Sequence, residues 1–417
     1  MQRCVTGFAV WPQKGHIYPT FHLARMLREK GAEVIYFGSP SAESVVREQG
    51  FTFRAAGVDR DDAHFARKSY RDKSRFIREL VQDITVKIRA DGVTQLFVDP
   101  LFDAVAIAGV LAEVDVKYFW VMNPPYCRGR HLPFAFMGLG RHLDLTGRSR
   151  LSPALRWLPQ RLWWKWRALR HRIRMHIYPV YVRAAEVAAE RKIKLVLTSY
   201  GPRFDLPAIV LGPKRFEQWP DQSLRYLGLG VDESRAEDAF IPPSSGPLVY
   251  VSLGTNFGLY SQASRIIQFV LEAAAQLPAI VFVIQVPAEA QPRFKAPANV
   301  TFVANASTLA VLRHASAAII HGGYGSIKEC ILYQVPFLIV PFLFDQPSNA
   351  ARVSDLGLGI VIAPSKADSA RIREGLESLL NGPGFRSRIK TFRASTLAED
   401  DYQRFCSEVV SGPRRPD

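Results

Sequence analysis

No CxxC pair occurs in this sequence. Its four cysteines, Cys4, Cys127, Cys330 and Cys406, stand far apart. Neither a disulfide scaffold nor a structural zinc site is suggested, and a reducing cytosol is expected. Low-complexity tracts are also missing. No apolar run reaches the roughly eighteen residues of a membrane-spanning helix; even VPFLIVPFLF stops at Asp345. The opening stretch, MQRCVTGFAVWPQKGH, is too short in apolar residues for a secretion signal and is broken by Pro12 and Lys14. Acidic residues are scarce, 38 against 54 Lys and Arg. A composition of 48% hydrophobic and 22% charged residues excludes a mainly disordered, collagen-like or coiled-coil chain.

What is present is a twofold alternation of strand and helix patterns. At 417 residues the chain exceeds one ordinary core, so two domains are expected. GFAVWP, the 3.6-period stretch FHLARMLREKG and EVIYFG form a β-α-β signature. LFVDP near residue 97, KYFWVMN near 118 and LVLTS near 195 continue it as buried strands. VDESRAEDAFIPPSSGP is polar and Pro-rich, as a linker should be. The alternation restarts at LVYVSLGT and runs through SRIIQFVLEAAAQL, AIVFVIQV, TFVAN, AAIIHGG, FLIVPF and GIVIA. The fold class is therefore α/β, two tandem Rossmann-like doubly wound domains facing a central cleft. The expected boundaries are 1–230 for the first Rossmann-like domain, 231–247 for the linker, 248–395 for the second, and 396–417 for a final helix that crosses back.

The strongest motif is His321-Gly322-Gly323-Tyr324-Gly325-Ser326-Ile327-Lys328-Glu329, where the strand AAII gives way to a helix. Glycines admit a ligand close to the backbone, and a helix N-terminus offers free N–H groups and partial positive charge, so a diphosphate suits the turn. Ser326 and His321 add donors, and Glu329, one turn on, can accept ribose hydroxyls. Ser252-Leu253-Gly254-Thr255 closes the first strand of the same half with another small-residue loop. Asp345-Gln346 puts acceptor-rich side chains at another strand end, as hexose hydroxyls require. Each motif alone could be a simple turn.

Taken together, HGGYGSIKE and PFLFDQPSNAARVSDLGLGI within Val303–Val361 resemble the donor signature of the UDP-glycosyltransferase family, nucleotide-diphospho-sugar enzymes of glycosyltransferase-B fold. The resemblance implies that His321, Gly323, Gly325 and Ser326 meet the diphosphate, Glu329 the ribose, and Asp345 and Gln346 the sugar, with Ser252 and Thr255 as a phosphate loop. It also implies inversion at the anomeric carbon without a metal or other cofactor. The sequence departs from the family at ANASTLAVL. Many members carry there a Trp that stacks on uracil, followed after one residue by Pro-Gln, whereas Asn305, Ser307 and Thr308 stand here.

In the first half, Gly15-His16 precedes a helix at the expected cleft. An imidazole with a free pKa near 6.5 suits proton abstraction from an acceptor hydroxyl, although a lone histidine is more often a loop residue or cap. Asp99, ending LFVDP, can orient such a ring, with Asp103 as a rival. Gly15, His16 and Pro19 are similar to the family's base loop, which implies His16 as base and Asp99 as its partner. Asp59-Arg60-Asp61-Asp62, with His64 beyond, has a DxD-like look but reads as a solvated acidic loop, so no metal site is expected.

Between Arg128 and Arg183 there are 13 Lys and Arg against one acid, Asp144, so this insert carries +12 of the net +16. Four of the seven Trp fall in residues 157–166. On a helical wheel Leu162, Trp166, Leu169, Ile173 and Ile177 share a face, with Arg167, Arg170 and Arg174 on one flank. Trp163, Trp166, Arg167, Arg170 and Arg174 suit an anionic membrane surface; a helix packed on its own domain is the bland alternative. Nucleic acid is not expected as a partner, since no such motif accompanies the patch.

The expectation is an inverting hexosyltransferase, peripheral on the cytoplasmic membrane face, moving sugar from a nucleotide sugar to a hydrophobic lipid, carotenoid or terpenoid acceptor. A nucleotide-sugar epimerase or hydrolase, and a non-catalytic membrane binder, are the alternatives.

Overall fold

A computed structural model describes residues 4–57, 70–121, 190–198, 201–217, 220–236, 240–243, 246–304 and 306–412, together with residues 166, 186 and 187. The first half opens with β1 (Val5–Ala9), α1 (Lys14–Glu29), β2 (Glu33–Gly38), α2 (Glu43–Arg47) and β3 (Thr52–Ala55). It continues with α3 (Tyr70–Ala90), β4 (Gln95–Val98), α4 (Asp103–Leu111) and β5 (Asp115–Trp120). Then come β6 (Leu195–Thr198), β7 (Gly201–Phe204), β8 (Ala208–Val210) and β9 (Arg225–Tyr226). Seven of these strands form a parallel sheet in the order β3-β2-β1-β4-β5-β8-β9. Every residue of β1 and β4 is buried, as the central strands of a sheet covered on both faces require.

The second half holds β10 (Leu248–Ser252), α5 (Ala263–Ala275), β11 (Val281–Gln285), β12 (Val300–Val303) and α6 (Thr308–Leu312). It goes on with β13 (Ala317–Ile320), α7 (Tyr324–Leu332), β14 (Phe337–Ile339), α8 (Gln346–Asp355) and β15 (Gly359–Val361), and ends in α9 (Ser369–Asn381), α10 (Pro383–Ala398) and α11 (Tyr402–Ser411). Its sheet is parallel throughout in the order β12-β11-β10-β13-β14-β15. The α/β class with two Rossmann-like sheets is thus observed. In each sheet the chain winds outward from the first strand and then returns to that strand's other side. The turnabout lies between β1 and β4, and between β10 and β13, and the loops leaving those four strands frame the crevices where such sheets bind ligands.

LVLTS takes a different place from the one its apolar run suggests. It forms β6, paired antiparallel with β7 in a separate ribbon. A strand that meets its partner after two residues closes locally, and the place beside β5 goes to the three-residue β8 instead.

The last helix packs away from the half that precedes it. Tyr402, Phe405, Cys406 and Val409 of α11 lie in the same apolar core as Phe8, Phe21 and Phe97. The crossing is tight: Asp401 N donates to Leu227 O at 3.0 Å. Gly228 and Gly230 are left-handed there, and a Cβ on Gly230 would run into the Tyr402 hydroxyl. Among the described residues no helix is long and apolar enough to cross a membrane, and Cys4, Cys330 and Cys406 are free thiols.

Candidate active site

His16 sits in the first turn of α1, just past the loop that leaves β1, and Asp99 follows the end of β4. The central strands therefore bring together two side chains 83 positions apart in sequence. His16 Nδ1 lies 2.6 Å from Asp99 Oδ2, while Asp99 Oδ1 accepts Leu101 N at 2.9 Å. Asp99 is buried, and the imidazole is 12% exposed. Burial works against a charge on His16, but the negative charge and hydrogen bond of Asp99, helped by Asp345, outweigh it and raise the pKa above 6.5. Trp11 and Phe102 meet edge to face at 6.3 Å in the two loops flanking this pair.

The loops of the second half converge in the same manner. The ring of His321 lies against Gly254 and Gly323, so closely that a Cβ on either glycine would come within 2.6 Å of it. Gly254 and Gly322 are left-handed, with φ of 81° and 84°. Burial drives the His321 imidazole down to about 4, against a weaker pull from the Ser252 backbone, so the ring is neutral. Gly323 is the N-cap of α7, and no side chain caps that end, so its first N–H groups point outward without a side-chain acceptor. Ser326 is partly exposed there, and Thr255 is exposed in the loop after β10. Ser252 Oγ donates to Gln285 Oε1 at 3.3 Å.

Asp345 and Gln346 open α8. Asn349 ties Asp345 to the glycine turn, donating to Asp345 Oδ2 at 2.8 Å and to Gly322 O at 3.0 Å. Burial raises the pKa of Asp345, opposed by that Asn349 bond and by the charge of His16 across the cleft. Gln346 is buried. Its Oε1 accepts Phe342 N and Leu343 N at 2.9 and 3.1 Å, and its Nε2 donates to Tyr260 Oη at 2.9 Å. The amide therefore fixes the loop that carries Asp345, keeping one N–H hydrogen in reserve. Among the described residues no group of His, Cys, Asp and Glu is arranged to hold a metal ion.

Residues 268–411 match the model of the erythromycin biosynthesis protein CIII-like C-terminal domain. The NDP-glycosyltransferase YjiC of Bacillus subtilis is 24% identical over 206 residues, 48% of this chain and 52% of that protein, so the match spans about half of that relative. The 4'-demethylrebeccamycin synthase of Lentzea aerocolonigenes is 25% identical across 94% of this chain and 95% of its own length. With its motifs, these matches make the chain similar to the UDP-glycosyltransferase family. The solved glycosyltransferase VinC, in complex with DTDP, superposes on 98% of the chain with a TM-score of 0.66 at 19% identity, a likeness of fold.

The candidate site is assembled from strand ends. His16 and Asp99 meet directly; Ser252, Thr255, His321, Gly323, Gly325 and Ser326 surround one turn; Asp345 and Gln346 follow β14 on the same side. Glu329 is less open than its spacing suggests, because it is held by Arg235 of the linker. Sequence reasoning missed Asn349, Tyr260 and Arg235. Asn349 stands four residues after Asp345 on one helix face, a spacing that could have signalled it; Tyr260 and Arg235 come from loops without periodicity. Lys328, within the main motif, is buried and donates to Leu211 O of the other half at 2.8 Å. Burial drives its pKa down to about 7. Trp163, Arg167, Arg170, Arg174, Asn305, Cys127 and the Asp59–His64 segment lie outside the described residues. Of the basic insert only Trp166 is described, a helical residue with 56% of its surface exposed.

Proposed function

We propose that this protein is an inverting hexosyltransferase that uses a nucleoside-diphosphate sugar, with the acceptor in the first half and the donor in the second. The observation that carries the reading is the His16–Asp99 pair at 2.6 Å, with Asp345 of the opposite half near enough to affect its charge. Asp99 holds Nδ1, which leaves Nε2 of His16 to take the proton from an acceptor hydroxyl. That oxygen attacks the anomeric carbon as its bond to the diphosphate breaks, and the nucleoside diphosphate leaves with the electron pair. The uncapped amides at the start of α7, with Ser326 and Thr255, stabilise the charge that builds on it, so no metal is required. Asp345, with the remaining N–H of Gln346, holds the sugar hydroxyls, and Glu329 holds the ribose.

The acceptor is a lipid, carotenoid or other terpenoid hydroxyl presented at an anionic membrane surface on the cytoplasmic side. The Trp-rich basic segment of the sequence supports this, as does the aromatic pair Trp11–Phe102 beside the base. His16→Ala is expected to abolish transfer while leaving nucleotide affinity within about threefold of wild type, measured by product mass spectrometry and calorimetry. Near-normal turnover in that variant would refute the mechanism. Products formed from several sugar nucleotides and a membrane lipid extract name the substrates; free sugar or an epimer without acceptor would point to a hydrolase or epimerase instead.

A further inference from the structure

Arg235 belongs to a short 3₁₀ turn in the linker, Glu233–Ala236, yet its side chain is held by both halves of the molecule. Its Nη2 donates to Glu329 Oε1 at 2.9 Å, and each side chain is only 12% exposed. The guanidinium carbon sits 4.5 Å over the ring of Tyr18, two residues beyond His16 on α1. Its backbone carbonyl accepts Ser307 Oγ at 2.9 Å, and Ser307 caps α6 two positions after Asn305, where the motif would carry its base-stacking Trp. Nε–H of Arg235 is buried and has no acceptor among the described residues.

A buried donor without an acceptor costs about 1–3 kcal/mol. A flexible guanidinium fixed by an ion pair and a stacked ring bears that cost only where something completes it. The surroundings define what that is. Glu329 is the ribose acceptor of the proposed reading, on which this inference rests; Ser307 stands two residues from the position of the absent Trp, and Tyr18 meets the guanidinium from the first half. We propose that Arg235 completes the nucleoside end of the donor site, fixing Glu329 through Oε1 and giving its Nε–H to the nucleoside, in place of a stacking indole. A guanidinium fulfils both roles because its fork supplies several donors in one plane; an ammonium has no such plane.

The test is binding of UDP and of dTDP to the intact protein by calorimetry, with inorganic pyrophosphate as a competitor that lacks the nucleoside. Arg235→Ala is expected to weaken the better-bound nucleotide at least ~10-fold and pyrophosphate by less than ~3-fold, with Arg235→Lys recovering only part of the loss. Glu329→Gln and the double variant complete a cycle, in which the two losses should be strongly non-additive. Equal loss for nucleotide and pyrophosphate would reduce Arg235 to a structural strut and overturn the assignment, as would an unchanged nucleotide affinity. Wild-type protein that binds pyrophosphate but neither nucleotide would overturn it as well. Absence of all binding by the wild type would sink the glycosyltransferase reading itself, and so separates the two failures.

Discussion

In the proposed reaction a single imidazole carries most of the chemistry, and its neighbours set its useful pH range. Because Asp99 and Asp345 raise the pKa of His16 above 6.5 despite burial, the free base is lost as pH falls through that raised value, and activity should fall with it on an acid limb above pH 6.5. Asp99→Asn removes the charge while keeping the shape. The limb should then move to lower pH, since burial alone disfavours the imidazolium, and kcat/KM should drop ~100-fold or more because the tautomer is no longer fixed. A pH–rate profile of the two proteins checks both; an unmoved limb would detach Asp99 from the base. This pair was legible in the sequence through the resemblance of Gly15, His16 and Pro19 to a family's base loop, with Asp99 following a strand pattern. Its length and partners came only from the sheet order, which sets β1 beside β4.

At the scale of elements, the turn from β13 into α7 distinguishes two kinds of glycine. A Cβ at Gly323 would fall 2.5 Å from His321 Nε2, so Gly323→Ala should disturb the fold. Gly325 faces open space, and a Cβ added there would meet nothing within 4 Å. Gly325→Ala should therefore leave the melting temperature unchanged or raised, by the equivalent of roughly 0.5–1 kcal/mol of helix propensity. It should nonetheless weaken nucleoside diphosphate binding severalfold, because the methyl group stands where the phosphates approach. Calorimetry beside thermal melting separates these effects, and undiminished affinity would move the diphosphate off this helix. The motif announced the turn, but sequence placed LVLTS in the main sheet. Apolar content says that a segment is buried and not which neighbour it pairs with, and β8, only three residues long, gave no periodic signal at all. Arg235 and Tyr260 escaped for a related reason: a loop side chain is fixed by what surrounds it in space, and nothing in its local spacing records that.

For the whole molecule, the final helix belongs to the core of the half that began the chain. Removing residues 399–417 strips Tyr402, Phe405, Cys406 and Val409 from around Phe8 and Phe97. At about 1.5–3 kcal/mol for each large apolar side chain, the loss is on the order of 5 kcal/mol or more, comparable with the entire stability of many domains. Such a truncation should yield insoluble or dye-binding protein even though His16, Asp99 and every donor-loop residue are retained; a soluble, active product would contradict the packing. The same helix has a mechanical consequence. The polypeptide passes between the halves twice, once at Gly228–Gly230 and once at Asp400–Asp401, and the two passages touch. Two adjoining threads form a spine of the kind that binds a book. If the proposed reaction requires the covers to part for a sugar nucleotide, this spine is where they should swing, since sliding or twisting of one cover past the other would tear the binding.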